Sequence, residues 1–218
     1  MKYNTVIFDM DGLLIDSEPL WKEAADELLL NYGFRLTKQQ YSLTTGLRTK
    51  EFLEFWFTHF NIPLTQIITD EDIVVKRVIE LVKLKGRIMP GVPYIFNFFK
   101  QLNFKIGLAS SSPSELIDVV VEKLNIGAYL QVTTSASSLA FGKPHPEVYL
   151  NCAKELGALP AQCICFEDSY NGMIAVKAAK MKCIIIPNFE DYKKTVWDAA
   201  DLKISTLHNF NELLLAGL

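Results

Sequence analysis

The chain has 218 residues, half of them hydrophobic, with a formal net charge of −3 and a pI near 5.7. That much apolar material is ample for a packed core, and without a basic surplus neither nucleic acid nor an anionic membrane is expected as the main partner. The first residues run straight into a strand signal, and no stretch reaches the length of a membrane span. The expectation is therefore a cytoplasmic protein that acts on a small molecule; a monomer is expected, with an oligomer left open.

The opening strand is Val6, Ile7 and Phe8, an unalternating run of branched and aromatic residues of the kind that is buried on both faces of a sheet. It stops at Asp9, and Asp11 with Gly12 then forms a turn signal, so both carboxylates belong at the carboxyl end of a strand, where open α/β sheets place ligands. Two carboxylates about 4 Å apart repel by roughly 4 kcal/mol at an effective dielectric near 20. A bound cation relieves that repulsion. An aspartate after a strand also serves as a turn residue or a helix N-cap, so D-x-D-G alone leaves both readings open.

Asp16 and Ser17 offer N-caps to a helix that carries Pro19 in its first turn and stops near Gly33. Helical signals then persist to Gly86. Phe52, Phe55, Trp56 and Phe60 recur at spacings of three and four, and residues 71–86 repeat the amphipathic pattern, which predicts the core of a small helical bundle. The segment IMPGVP at 88–93 punctuates the chain like a domain boundary. From there a helix at 91–102, a strand at 105–109 and a helix from Pro113 to Leu124 begin a βα rhythm. Further strands are predicted at 129–134, 163–167, 182–187 and 202–204, with a final helix at 207–216. The fold class is α/β, a Rossmann-like parallel-sheet core of residues 1–15 and 87–218 with an inserted α-helical cap of residues 16–86.

The strand at 105–109 runs into Ser110, Ser111 and Ser112. Ser112 with Glu115 matches an S-x-x-E capping box, with Pro113 at the first helical position. Ser110 sits at the same sheet edge as Asp9, where its hydroxyl and nearby amides could hold an oxyanion. In FGKPHPEVY, a glycine and two prolines flank Lys143 and restrict its backbone. The strand at 163–167 ends in the acidic pair Glu167 and Asp168. An N-cap role for Asp168 or Ser169 leaves the adjacent Glu167 unexplained, whereas a cation shared with Asp9 and Asp11 explains both acids. Oxygen ligands without a histidine cluster favour Mg²⁺. His59, His145 and His208 receive no role. Cys152, Cys163, Cys165 and Cys183 contain no C-x-x-C pair and read as reduced core thiols.

Taken in order, D-M-D-G-L-L-I-D-S, the strand end at Ser110, G-K-P with Lys143 and E-D-S-Y-N-G resemble the four motifs of the haloacid dehalogenase superfamily, in its β-phosphoglucomutase and sugar-phosphate phosphatase branch. The resemblance spans nearly the whole chain and implies a five-strand parallel sheet with the first strand central. It implies Asp9 as nucleophile forming an aspartyl phosphate, Asp11 as general acid and then base, and Ser110 and Lys143 as phosphate-binding groups. Asp9, the Asp11 carbonyl and Asp168 would hold Mg²⁺, with Glu167 behind them. Arg48, in TTGLRTKEF, would contact the remote part of the substrate, although Thr49 could also cap the following helix around a solvated arginine. Dehalogenases of the superfamily lack the second aspartate, so Asp11 argues for a phosphate ester as substrate. The mutases carry a histidine five residues beyond the position of Asp16, where this chain has Trp21. The order of expectation is a sugar-phosphate phosphatase, then a β-phosphoglucomutase-like transferase, then a signalling protein that accepts phosphate on Asp9.

Overall fold

The computed structural model describes residues 2–218. Strand β1 (Thr5–Phe8) is followed by four helices, α1 (Glu18–Asn31), α2 (Lys38–Thr44), α3 (Thr49–Phe60) and α4 (Ile67–Lys85). The rest alternates as α5 (Val92–Gln101), β2 (Lys105–Ser110), α6 (Ser114–Leu124), β3 (Val132–Ser135), α7 (Glu147–Glu155), β4 (Cys163–Glu167), α8 (Tyr170–Ala178), β5 (Lys182–Ile185), β6 (Leu202–Lys203) and α9 (Glu212–Ala216). The strands form one parallel sheet in the order β3-β2-β1-β4-β5-β6. The resemblance implied five strands, and the two-residue β6 beside β5 makes a sixth.

The unalternating apolar run of β1 is explained by its two covered faces. Val6 and Phe8 join a cluster on one side with Phe96, Phe99 and Phe166, while Ile7 points to the other side among Cys165, Val148 and Met173. All four cysteines are buried and free, and burial raises their pKa values, to about 12 for Cys152 and about 11 for Cys163, so they behave as inert core thiols. Among the described residues no helix is long and apolar enough to cross a membrane.

Helices α1 to α4 are inserted between β1 and β2. The two passages into and out of this insertion run side by side, with Asp16 N–H donating to the Arg87 carbonyl at 2.9 Å and Met89 N–H to that of Leu14 at 2.9 Å. The insertion is held together largely by α1 and α3 against α4, with Phe34 stacked on Phe60 at 4.2 Å between ring centroids. The aromatic stripe of α3 differs by one position from the predicted one. Leu53, Trp56 and Phe57 are its buried apolar residues and Phe52 and Phe60 pack half-buried against the same core, whereas Phe55 faces outward because it falls between the i, i+3 and i+4 positions that the helix turns toward α4. The final helix is also shorter than expected, since Asn211 caps a new start by accepting from Leu214 N–H at 3.1 Å.

Candidate active site

The carboxyl ends of β1, β2 and β4 bring Asp9, Ser110, Glu167 and Asp168 to one sheet edge. Strand register does this directly, because Phe8 lies opposite both Leu108 and Phe166. Gly12 is required for the turn that follows. Its φ is +74°, and a Cβ there would lie 2.1 Å from Asp168 Oδ2.

Lys143 reaches this edge from the loop before α7. Its side chain is 2% exposed, and Nζ lies 2.6 Å from Asp9 Oδ1 and 2.6 Å from Glu167 Oε1. Burial opposes its charge, but Asp9 and Glu167 more than offset this and raise its pKa above the ordinary lysine value. The Glu167 carboxylate is saturated by protein donors: Oε1 also accepts from Tyr149 OH at 2.6 Å, and Oε2 accepts from Asp168 N–H (3.0 Å), Ser169 N–H (3.1 Å) and Ser169 Oγ (3.0 Å). Those contacts, with Lys143 foremost, hold its pKa below the usual value against the cost of burial.

Asp9 and Asp168 are in the opposite condition. Burial, then the charge of Glu167, pushes Asp9 up to about 8, and the same two causes raise Asp168 well above its ordinary value. One ammonium cannot neutralise this many carboxylates. Oxygen atoms of Asp9, Glu167 and Asp168 all lie within 4.8 Å of one another, which is the spacing of an acidic metal cluster. With the oxygens of Glu167 already committed, Asp9 and Asp168 are the carboxylates left to hold a cation.

Asp11 is gripped from both sides. Oδ1 accepts from Ser17 Oγ at 2.6 Å and Trp21 Nε1 at 2.9 Å, and Oδ2 accepts from Ser112 Oγ at 2.7 Å and, more loosely, Ser110 Oγ at 3.4 Å. Two capping expectations are corrected here. Ser17 occupies the N-cap position of α1 without a side-chain cap bond, and Ser112 makes no capping box, since Pro113 takes the N-cap position of α6. Both hydroxyls are drawn to the carboxylate, the stronger acceptor. Ser169, not Asp168, caps α8 by accepting from Gly172 N–H at 3.0 Å.

The insertion closes over this edge. Ser111 Oγ donates to the Gly46 carbonyl at 2.8 Å, Asn171 Nδ2 donates to that of Thr45 at 2.9 Å, and Lys38 pairs with Glu190. Arg48 sits in this closing segment, but its guanidinium is turned onto carbonyls of the 136–140 loop and onto Glu51. Ser17, Ser112 and Tyr149 are contacts that reading the sequence missed. The triple serine after β2 was a signal for Ser112, whereas Tyr149 looks like any core aromatic on an amphipathic helix.

A parallel sheet with paired aspartates after its first strand, a buried lysine and a second acidic pair defines a class of hydrolase. The profile of the haloacid dehalogenase-like hydrolases matches residues 3–180, and the chain belongs to that family. It is 38% identical over 214 residues to hexitol phosphatase B of Escherichia coli K12, covering 97% of this chain and 96% of that protein. It is 32% identical to a phosphorylated carbohydrates phosphatase of Thermotoga maritima, over 82% of each chain. In fold it is similar to the crystal structure of β-phosphoglucomutase from Clostridium difficile, with a TM-score of 0.86 and 24% identity over 99% of this chain and 96% of that one.

Proposed function

We propose that the chain is a Mg²⁺-dependent phosphatase that hydrolyses the phosphate monoester of a small polyhydroxylated metabolite, a hexitol or sugar phosphate, through an aspartyl phosphate on Asp9. The observation that carries this reading is the Asp9 carboxylate, 2.6 Å from the Lys143 ammonium and clustered with Asp168. Similarity along nearly the full length to a hexitol phosphatase supports the substrate class.

Asp9 attacks phosphorus, a bond forms from its carboxylate oxygen, and the bond to the ester oxygen breaks as Asp11 delivers a proton to that leaving oxygen. Water then attacks the aspartyl phosphate, Asp11 takes back a proton, and phosphate leaves with Asp9 regenerated. Ser110 and Lys143 bind the phosphoryl oxygens and offset their charge. Asp9, the Asp11 carbonyl and Asp168 would hold Mg²⁺, the hard cation suited to oxygen donors, with Glu167 fixing Lys143 and Asp168 from behind. When bound, the cation supplies charge neutralisation at the phosphoryl group. Residues 16–86 act as a cap that excludes bulk water, and the protein works as a cytoplasmic monomer.

Trp21 favours water as the acceptor over a second sugar hydroxyl. An indole N–H donates but does not exchange protons as the mutase histidine can. The test is a panel of hexitol and sugar phosphates, with free phosphate and isomerised ester measured separately, with and without chelator. Phosphate release that exceeds isomerisation and requires Mg²⁺ is expected; efficient isomerisation of β-glucose 1-phosphate would instead favour the transferase.

A further inference from the structure

Arg48 precedes α3 and has a side chain only 11% exposed. Its Nη1 donates to the carbonyls of Ala136 (3.2 Å) and Leu139 (2.6 Å), while Nη2 donates to Glu51 Oε1 (2.6 Å) and the Ala140 carbonyl (3.5 Å). Glu51 completes the clasp. Its Oε1 accepts from Gly142 N–H at 3.1 Å, and its Oε2 accepts from Arg48 N–H at 3.2 Å, which places Arg48, not Thr49, at the N-cap position of α3. Arg48 Nε is buried without a hydrogen-bond partner among the described residues, while the four contacts of Nη1 and Nη2 are all to the protein.

The grasped segment leads directly into Lys143. The loop carbonyls at 136, 139 and 140 belong to no strand or helix; that of Ala136 also accepts from Leu139 N–H at 3.1 Å, and Arg48 supplies a side-chain donor to all three. A planar guanidinium serves these carbonyls and Glu51 from one rigid fork, which the rotatable ammonium of a flexible lysine does not reproduce. Gly142 allows the approach: a Cβ there would lie 2.5 Å from Glu51 Oε2 and 2.8 Å from Arg48 Nε. The next residue must then place its Nζ between Asp9 and Glu167, at 2.6 Å from each, with almost no room for error.

We propose that Arg48 and Glu51 are positioning residues that seat Lys143, clasping its loop from the inserted helices so that the ammonium is aligned on the phosphoryl group. The role assigned to Lys143 rests on the phosphatase reading above, whereas the clasp itself does not. It gives Arg48 a task inside the protein in place of the expected contact with the remote part of the substrate.

The test uses Arg48→Lys and Glu51→Gln from one side and Gly142→Ala from the other, so that a folding defect in the insertion alone cannot account for the result. Turnover of p-nitrophenyl phosphate and of the best hexitol phosphate is measured beside hydrogen exchange of the peptide spanning 136–143. Each variant should lower kcat by about 10- to 100-fold on both substrates with little change in KM, as expected for a misplaced group. Exchange in 136–143 should quicken, and combining Arg48→Lys with Gly142→Ala should be little worse than the stronger single change. A loss confined to the hexitol phosphate with p-nitrophenyl phosphate spared would overturn the proposal in favour of a substrate contact. Faster exchange with kcat intact would reduce the clasp to a structural contact and likewise overturn it. If the unmodified protein turns over neither ester, the phosphatase reading fails on its own. Exchange then decides the clasp, and unchanged exchange in all three variants would overturn it.

Discussion

Trp21 Nε1 donates to Asp11 Oδ1 at 2.9 Å, so a residue of the first inserted helix holds the carboxylate proposed as acid and base. Trp21→Phe keeps an aromatic side chain but loses the N–H together with the five-membered ring that carries it. With Ser17 and Ser112 still in place, kcat for an alkyl phosphate should fall by about tenfold, the lower end expected for a hydrogen bond to a charged group. The fall should be smaller for p-nitrophenyl phosphate, whose leaving oxygen needs less protonation. Equal losses on both would detach Trp21 from proton transfer.

Asp11→Asn should show the same asymmetry more severely. The amide keeps the size and the acceptor oxygen but cannot deliver a proton, so turnover of the alkyl ester should nearly vanish while the activated aryl ester retains more. Comparing the two kcat/KM ratios checks this, and a uniform loss would remove the acid role from Asp11.

Tyr149 is wholly buried and donates to Glu167 Oε1 at 2.6 Å, beside the Lys143 ammonium. Tyr149→Phe leaves that oxygen to Lys143 alone. Stability in urea should drop by about 1 to 2 kcal/mol, and half-activation by Mg²⁺ should need about tenfold more metal, because Glu167 fixes the residues that would hold it. Unchanged Mg²⁺ titration would limit Tyr149 to packing.

Part of this site was legible because its signals are local. An apolar run ending at Asp9, another ending at Glu167, and a glycine and proline around Lys143 each follow from neighbouring residues. Ser112 was misread because S-x-x-E is also a local pattern, and its actual partner, Asp11, lies 101 positions away. Tyr149 and Glu51 were invisible for a related reason: both occupy ordinary helical positions, and only the folded chain puts Glu167 and Gly142 against them. Arg48 could be noticed as a charged residue near a helix start, but the carbonyls that claim it belong to a loop with no distinguishing sequence. In the fold, the sheet was read from β1 and β4, whereas the outward turn of Phe55 depended on where α3 meets α4.

Away from the site, Asp201 accepts from Lys177 Nζ (2.6 Å), Lys182 Nζ (2.8 Å) and Cys183 N–H (2.9 Å). Partial burial opposes its charge, but these donors hold its pKa below the ordinary 3.8. A depressed carboxyl stabilises the fold above its unfolded value and loses that contribution as pH falls from 3.8 through the folded value. Asp201→Asn should therefore cost about 1 kcal/mol at neutral pH, kept small because both lysines are partly solvated. The gap to the unmodified protein should narrow in acid. Urea unfolding at both pH values checks this, and a gap that widens in acid would contradict it.

The central claim is the phosphoryl bond to Asp9, and an acid-quenched single turnover followed by peptide mass mapping tests it most directly. With Mg²⁺ and the best phosphate ester, phosphate should be found on the peptide carrying Asp9, and it should be absent with chelator or in Asp9→Asn. Full turnover with phosphate never appearing on the protein, or appearing on another residue, would contradict the account.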